Sequence, residues 1–305
     1  MNVFVTGGTG FIGSYLVKEL VNQGHNILCL RRNSSSLVNL GQYAKNVRWA
    51  NSADDWQSRF IEFRPNAVFH LAWDGVSSRD REIWAKQVHN VELQQAVLDI
   101  SLKCGVKKFI GIGSQSEYGD FEGVVDENLA PNPKTAYAAV KLACLDLLKS
   151  FCIINRIEWY WFRLFPLFGP HESENWLIPS LIKAMFTQDS LDMTLGEQYL
   201  PYLYVGECVK AIASPLYSVD KSGVYNVCAD NAQPLHEMVT RIRDYVNPNF
   251  KLNFGALPYR FGQSMYMGGD THSLSQNLYT LETSTFDDRL RETIDYYVAL
   301  YGEQE

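Results

Sequence analysis

Nothing in this sequence pairs its cysteines, spans a bilayer or carries an excess of positive charge. Six cysteines, at positions 29, 104, 144, 152, 208 and 228, are scattered with no Cys-x-x-Cys spacing and no spaced histidine partner. Most stand among apolar residues, which predicts buried, reduced thiols. The most apolar-looking segment, "CIINRIEWYWFRLFPLFG", is interrupted by Arg156, Glu158 and Arg163 and cannot cross a membrane. Lys and Arg number 27 against 34 Asp and Glu, a net charge of -7, which argues against a general binder of nucleic acid or anionic membrane. His25, His89, His171, His236 and His272 have no metal-ligand spacing, so no metal site is expected. The chain starts almost directly on a glycine-rich stretch, which leaves no room for a signal peptide, and a cytoplasmic location is the expectation.

What is there fits a globular chain of one large domain or two smaller ones: 305 residues, 46% apolar and 20% charged. Short β-branched or aromatic runs at 2–6, 26–31, 46–50, 66–72, 107–113 and 158–164 read as strands. Helical patterns lie between them, at about 11–23, 52–64, 80–104 and 135–154. This alternation predicts an α/β fold, a parallel sheet with helices on both faces. Beyond Leu164 the pieces are shorter: helices near 177–187, 206–217, 234–246 and 286–301, and strands near 199–205 and 223–228. The expected division is a nucleotide-binding domain over 1–165, to which segments near 199–230 return, and a smaller, mainly substrate-binding α/β cap over 166–305.

The stretch "VFVTGGTGFIGSYL" places Gly7, Gly10 and Gly13 between a strand and a helix. In that context glycines permit a tight turn, admit a pyrophosphate to the backbone N–H groups at the helix start, near Phe11 and Ile12, and let the helix pack on the sheet. A purely structural turn is the competing reading. The second strand ends in Arg31 and Arg32, where NAD binders usually carry an acidic residue; a guanidinium there suits the 2′-phosphate of NADP. NADP is therefore the expected cofactor ahead of NAD, the alternative being two exposed arginines.

"TAYAAVK" sets Tyr137 and Lys141 four residues apart, on one helix face. "FIGIGSQSEYGD" just before it ends a parallel strand at Ser114, which points Ser114 toward the cofactor crevice. No Gly-x-Ser-x-Gly elbow surrounds Ser114, which removes a serine hydrolase. A lysine cation about 4 Å from a phenol, at an effective dielectric near 20, is worth about 4 kcal/mol, roughly three pK units. Lys141 is thus expected to bring Tyr137 close to operating pH for acid–base work.

The glycine pattern, "FHLAW", "GSQSEYG", "PKTAYAAVK" and "FRLFPLFGP" together resemble the extended short-chain dehydrogenase/reductases, the NAD-dependent epimerase/dehydratase family, over roughly residues 1–170. The resemblance implies a Rossmann-type doubly wound sheet and a Ser114–Tyr137–Lys141 triad, with Tyr137 and Lys141 also bordering the cofactor. It further implies Leu71 and Ala72 in the cofactor cleft and Asn90 on the following helix. Family dehydratases usually carry Asp-Glu directly after the Ser or Thr; here Gln115 and Ser116 stand there, so elimination is not expected. The implied reaction is NADPH-dependent reduction of the C4 keto group of a nucleotide-diphospho-4-keto-6-deoxyhexose, giving a deoxysugar donor for surface polysaccharide. The alternatives are a nucleotide-sugar epimerase with retained NAD(P) and a non-catalytic NADP-sensing or scaffold protein. Candidate substrate contacts are Trp73, Ser114, Gln115, Asn175 and Arg260, with core packing the alternative for Trp73 and an ordinary surface arginine the alternative for Arg260. A homodimer through the helices near 80–104 and 135–154 is expected from the same resemblance.

Overall fold

The computed structural model describes residues 1–77, 79–260 and 262–302. Seven strands form its main sheet: β1 (Asn2–Thr6), β2 (Asn26–Arg31), β3 (Arg48–Asn51), β4 (Ala67–His70), β5 (Lys108–Ser114), β6 (Glu158–Leu164) and β7 (Gly223–Val227). Every neighbouring pair is parallel, in the order β7-β6-β5-β4-β1-β2-β3. The order reverses between β1 and β4, and the crevice beyond the carboxyl ends of those strands is where ligands bind such sheets.

Period-two alternation sorts the strand side chains onto two faces. Val3, Val5, Ile27, Cys29, Phe69, Ile110 and Phe162 pack in one core with α1 (Phe11–Asn22) and α6 (Val205–Ala213). Phe4, Leu28, Val68, Phe109 and Trp161 pack in the other, with α2 (Trp56–Phe63), α3 (Trp84–Lys103) and α4 (Ala136–Asn155). Both faces are covered, which is why these strands read as nearly unbroken apolar runs. Asp55 starts α2 by accepting from the Ser58 backbone N at 3.1 Å.

A third core joins α5 (Leu177–Thr187), α7 (Leu235–Val246) and α9 (Phe286–Gly302) through Ile178, Leu181, Met238, Ile242, Ile294 and Tyr297. Between α7 and α9 lies the short α8 (His272–Asn277). After Leu164 the chain twice rejoins the first body, as α6 packs on α1 and β7 pairs with β6. The strand expected over 199–205 is two dipeptides, Tyr199–Leu200 and Leu203–Tyr204, with different partners. Pro201 lies between them and has no N–H to continue a ladder. The helix expected to 217 ends at Ala213, and a 3₁₀ turn, Ser214–Tyr217, follows with Pro215 at its start. All six cysteines are free and five are buried. Among the described residues no helix is long and apolar enough to cross a membrane.

Candidate active site

The turn after β1 is built by steric necessity. Gly7 has φ +74°, and a Cβ on it would lie 2.6 Å from the Ala72 backbone N. A Cβ on Gly13 would stand 2.1 Å from the Gly7 carbonyl oxygen, so the first turn of α1 rests directly on the glycine turn. Gly10 differs: it is exposed, it precedes α1 without any side-chain cap, and its nearest obstacle for a Cβ is 3.4 Å away. The backbone N–H groups of Phe11, Ile12 and Gly13 thus have no side-chain acceptor, at the positive end of a helix dipole. This open, Cβ-free approach fits the pyrophosphate of a dinucleotide. Leu71 and Ala72 close the other side, their backbone N–H groups donating to Thr6 O at 3.2 Å and Thr6 Oγ1 at 3.1 Å. At the far end of β2, Arg31 lies over the Trp49 ring, 5.5 Å from its centroid, and Arg32 is exposed at a turn closed by Ser35.

Ser114 ends β5 and caps a 3₁₀ turn, Gln115–Tyr118. Its Oγ accepts from Ser116 N at 3.2 Å, and its N–H donates to Glu117 Oε1 at 2.9 Å, a reciprocal capping box. Glu117 is fully buried and also accepts from Arg163 Nε at 2.9 Å and Trp161 Nε1 at 3.1 Å. This carboxylate is therefore committed to an internal ion pair.

Tyr137 and Lys141 stand on the first turns of α4, which Thr135 caps by accepting from Ala138 N at 3.1 Å. Lys141 reaches across to β5, where its Nζ donates to Ile112 O at 2.7 Å, two residues before Ser114. Ser114, Tyr137 and Lys141 are all buried. Burial pushes the Tyr137 phenol above its ordinary pKa; the Arg81 guanidinium and the Ser114 hydroxyl pull it back, and Glu117 adds to the rise. Burial lowers Lys141 to about 8, against the opposing influence of Cys144 and Glu117. His70, at the end of β4, is driven to about 3 by burial and by Lys141, so it is a neutral imidazole paired through Nδ1 with Thr6 Oγ1 at 2.9 Å.

One electrostatic expectation is corrected here. The Tyr137 phenol is raised by burial rather than brought toward neutrality, and Lys141, 5.9 Å from its ring centroid, also meets Ile112 O and the Trp73 ring, 3.7 Å from its centroid. Of the two cations over the Tyr137 ring among the described residues, Arg81 is the nearer, 4.8 Å from its centroid. The sequence pattern places Arg81 in a helix over about 80–104; α3 instead begins at Trp84, and Arg81 lies in the loop before it.

Of the other candidates, Trp73 lies with one face on Lys141, packs edge-to-face with Tyr137 at 5.8 Å between ring centroids, and donates from its Nε1 to Gln87 Oε1 at 2.9 Å. Gln115 is half-buried beside Ser116, 3.4 Å from its Oγ. Asn175 is exposed, one residue before Trp176, which precedes α5. Arg260 is exposed on a loop, its carbonyl accepting from Gln263 N at 3.1 Å; Phe261 of "LPYRFGQ" lies outside the described residues. The fold thus gathers Ser114, Tyr137, Lys141 and Trp73, while no side-chain hydrogen bond among the described residues ties Asn175 or Arg260 to them.

Residues 3–228 match the model of the NAD dependent epimerase/dehydratase family. The chain is 25% identical over 274 residues to dTDP-6-deoxy-L-talose 4-dehydrogenase (NAD(+)) of Aggregatibacter actinomycetemcomitans, a match covering 88% of this chain and 99% of that protein. It is 25% identical over 315 residues to the uncharacterized UDP-glucose epimerase YtcB of Bacillus subtilis (strain 168), covering 99% of each. Among solved structures, the UDP-N-acetylglucosamine 4-epimerase of Methanobrevibacter ruminantium M1, in complex with UDP-N-acetylmuramic acid, superposes with a TM-score of 0.89 at 26% identity over 98% of both chains. The family match runs from β1 through β7 and includes both the glycine turn and the three converging side chains; this chain belongs to the NAD dependent epimerase/dehydratase family, within the extended short-chain dehydrogenase/reductases.

Proposed function

We propose that this protein is a nicotinamide-dependent enzyme of nucleotide-sugar chemistry, and that it reduces a C4 keto group on a nucleotide-diphospho-4-keto-6-deoxyhexose. The observation that carries the reading is the convergence of Ser114, Tyr137 and Lys141 at the carboxyl end of β5. In reduction, C4 gains a hydride and its oxygen gains a proton. When bound, a reduced nicotinamide supplies the hydride. Tyr137 gives the proton to the C4 oxygen and is reprotonated from solvent. Ser114 donates a hydrogen bond to that oxygen from a buried, low-dielectric position, where such bonds gain strength. Lys141 keeps a cation beside the reacting centre.

Two features support reduction over elimination. Gln115 and Ser116 offer no acid and base, and Glu117 is held by Arg163. The relative named as a 4-dehydrogenase supports oxidoreduction at C4. A second reading, 4-epimerisation with the cofactor retained, is supported by the UDP-glucose epimerase relative and the solved 4-epimerase. For the cofactor, the family name and that dehydrogenase's name support NAD, which we take as the cofactor. The Arg31–Arg32 end of β2 is what supports NADP as the second reading. If NADP is used, Arg31→Asp weakens NADPH binding at least about tenfold and spares NADH.

We also read residues 1–165, with returning segments near 199–230, as the dinucleotide-binding domain and the rest as the substrate cap. A homodimer is supported by the exposed apolar residues Trp84 and Val88 on α3 and Leu147 and Ile154 on α4. Free cysteines throughout are in keeping with a cytoplasmic setting.

The experiment is turnover of CDP-, dTDP-, GDP- and UDP-linked 4-keto-6-deoxyhexoses with NADH and with NADPH, and of the corresponding 4-hydroxy nucleotide sugars with and without added NAD, followed by cofactor absorbance and sugar analysis. Reduction consumes one cofactor per sugar. Interconversion of 4-epimers without net oxidation replaces reduction by epimerisation, and no change in any sugar overturns both.

A further inference from the structure

The loop between β4 and α3 carries a guanidinium that the reaction above does not use. The central carbon of Arg81 lies 4.8 Å from the Tyr137 ring centroid and 5.6 Å from that of Trp176. Tyr137 belongs to α4, on the sheet; Trp176 immediately precedes α5, whose buried face is part of the cap core. One side chain therefore joins the acid–base phenol to the first helix of the cap. A planar guanidinium can lie on two aromatic faces together, which a lysine ammonium does less well.

The placement is built rather than incidental. Arg81 Nε donates to Val76 O at 3.0 Å, and the Arg81 carbonyl accepts from the Tyr137 backbone N at 2.9 Å. Beneath the loop, the fully buried Gln87 donates to Gly75 O at 2.8 Å and Asp80 O at 3.0 Å, while accepting from Trp73. Asn90 grips the Asp74 peptide at both ends, accepting from its N at 2.7 Å and donating to its O at 3.0 Å. The neighbouring carboxylate, Asp80, is occupied by Ser77 and by Lys86 at 3.1 Å.

The other polar and charged groups around Tyr137 are accounted for. Lys141, from the same helix, donates to Ile112 O and lies 3.7 Å from the Trp73 ring centroid and, farther than Arg81, 5.9 Å from that of Tyr137. Glu117, from the turn after β5, is paired with Arg163, and Ser114 ends β5 itself. We propose that Arg81 is a positioning residue, the cation that stabilises the ionised form of Tyr137, and that Trp176 makes its placement depend on how the cap is docked. A positive charge on the ring face favours phenolate over phenol, so proton release by Tyr137 becomes easier when the cap helix holds Arg81 in place. This assignment rests on the proposed reaction only for its effect on turnover.

The test follows ionisation of Tyr137 by NMR of protein labelled at tyrosine Cζ, the signal being identified by its loss in Tyr137→Phe. In Arg81→Met the titration moves up by about one pH unit, an approximately tenfold loss of phenolate at any fixed pH on its rising limb. Arg81→Gln, which keeps a donor for Val76 O without the charge, moves it equally, and Arg81→Lys restores part of the loss. Trp176→Leu moves it the same way by less. A Tyr137 titration that is identical in wild type, Arg81→Met and Arg81→Gln overturns the assignment. Where nucleotide-sugar turnover is measurable, the pH profile of kcat follows the same shift with little change in KM. Failure of the wild type to turn over any nucleotide sugar overturns the proposed reaction and leaves the titration to decide the role of Arg81.

Discussion

Burial disfavours the charged forms of both Tyr137 and Lys141, raising the phenol and lowering the ammonium. Replacing the phenol removes proton transfer alone: Tyr137→Phe lowers kcat about 10²–10⁴-fold and leaves dinucleotide Kd within about twofold, by steady-state kinetics and fluorescence titration. Lys141 gives a stability prediction with a definite sign. Its folded pKa of about 8 lies below the ordinary lysine value near 10.4, so between those limits the unfolded chain binds more protons and stability rises with pH. In Lys141→Met that contribution, up to about 3 kcal/mol, is gone. Urea unfolding from pH 7 to pH 10 then shows a shallower rise than wild type; parallel curves contradict a depressed lysine. Ser114, Tyr137 and Lys141 were singled out in the sequence by a strand end and a four-residue helical spacing, and joined as a triad by the resemblance to the extended short-chain dehydrogenase/reductases. The Arg81 contact was not, since it depends on the path of a loop pinned by Gln87 and Asn90 from another element.

Among the elements, the glycine turn separates two kinds of requirement that look alike in sequence. A side chain at Gly13 collides with the Gly7 carbonyl at 2.1 Å, so Gly13→Ala costs about 2–3 kcal/mol or more and weakens cofactor binding as a consequence. At Gly10 the backbone is extended and the space is open, so Gly10→Ala stays within about 1 kcal/mol of wild type. It should nonetheless weaken dinucleotide binding at least about tenfold, because only a ligand needs that space. Thermal unfolding and binding measured together separate the two; equal losses of stability in both variants contradict the distinction. The strands and helices around this turn were readable because the sheet is covered on both sides and its strands are unbroken apolar runs. The short pairs Ser190–Met193 with Lys251–Phe254 and Gly123–Val125 with Met267–Gly269 were not, being too brief and too polar to show alternation.

The whole molecule combines a sheet wrapped by two cores with a third core of α5, α7 and α9, and the loop after β4 meets the start of α5 through Arg81 and Trp176. On α4, Leu147 and Ile154 are both exposed, Ile154 to 78%. If the proposed dimer forms there, Leu147→Lys with Ile154→Lys gives a monomer in sedimentation analysis with unchanged helicity; an unaltered dimer places the contact elsewhere. The reaction itself is read by transfer of deuterium from C4-deuterated NADH or NADPH to a nucleotide-4-keto-6-deoxyhexose. The phenol, the hydroxyl and the ammonium gathered at β5 predict label on C4 of the sugar in wild type and a rate lower by about 10²-fold or more in Tyr137→Phe. Label that never reaches the sugar, or that reaches it equally fast without the phenol, contradicts the account.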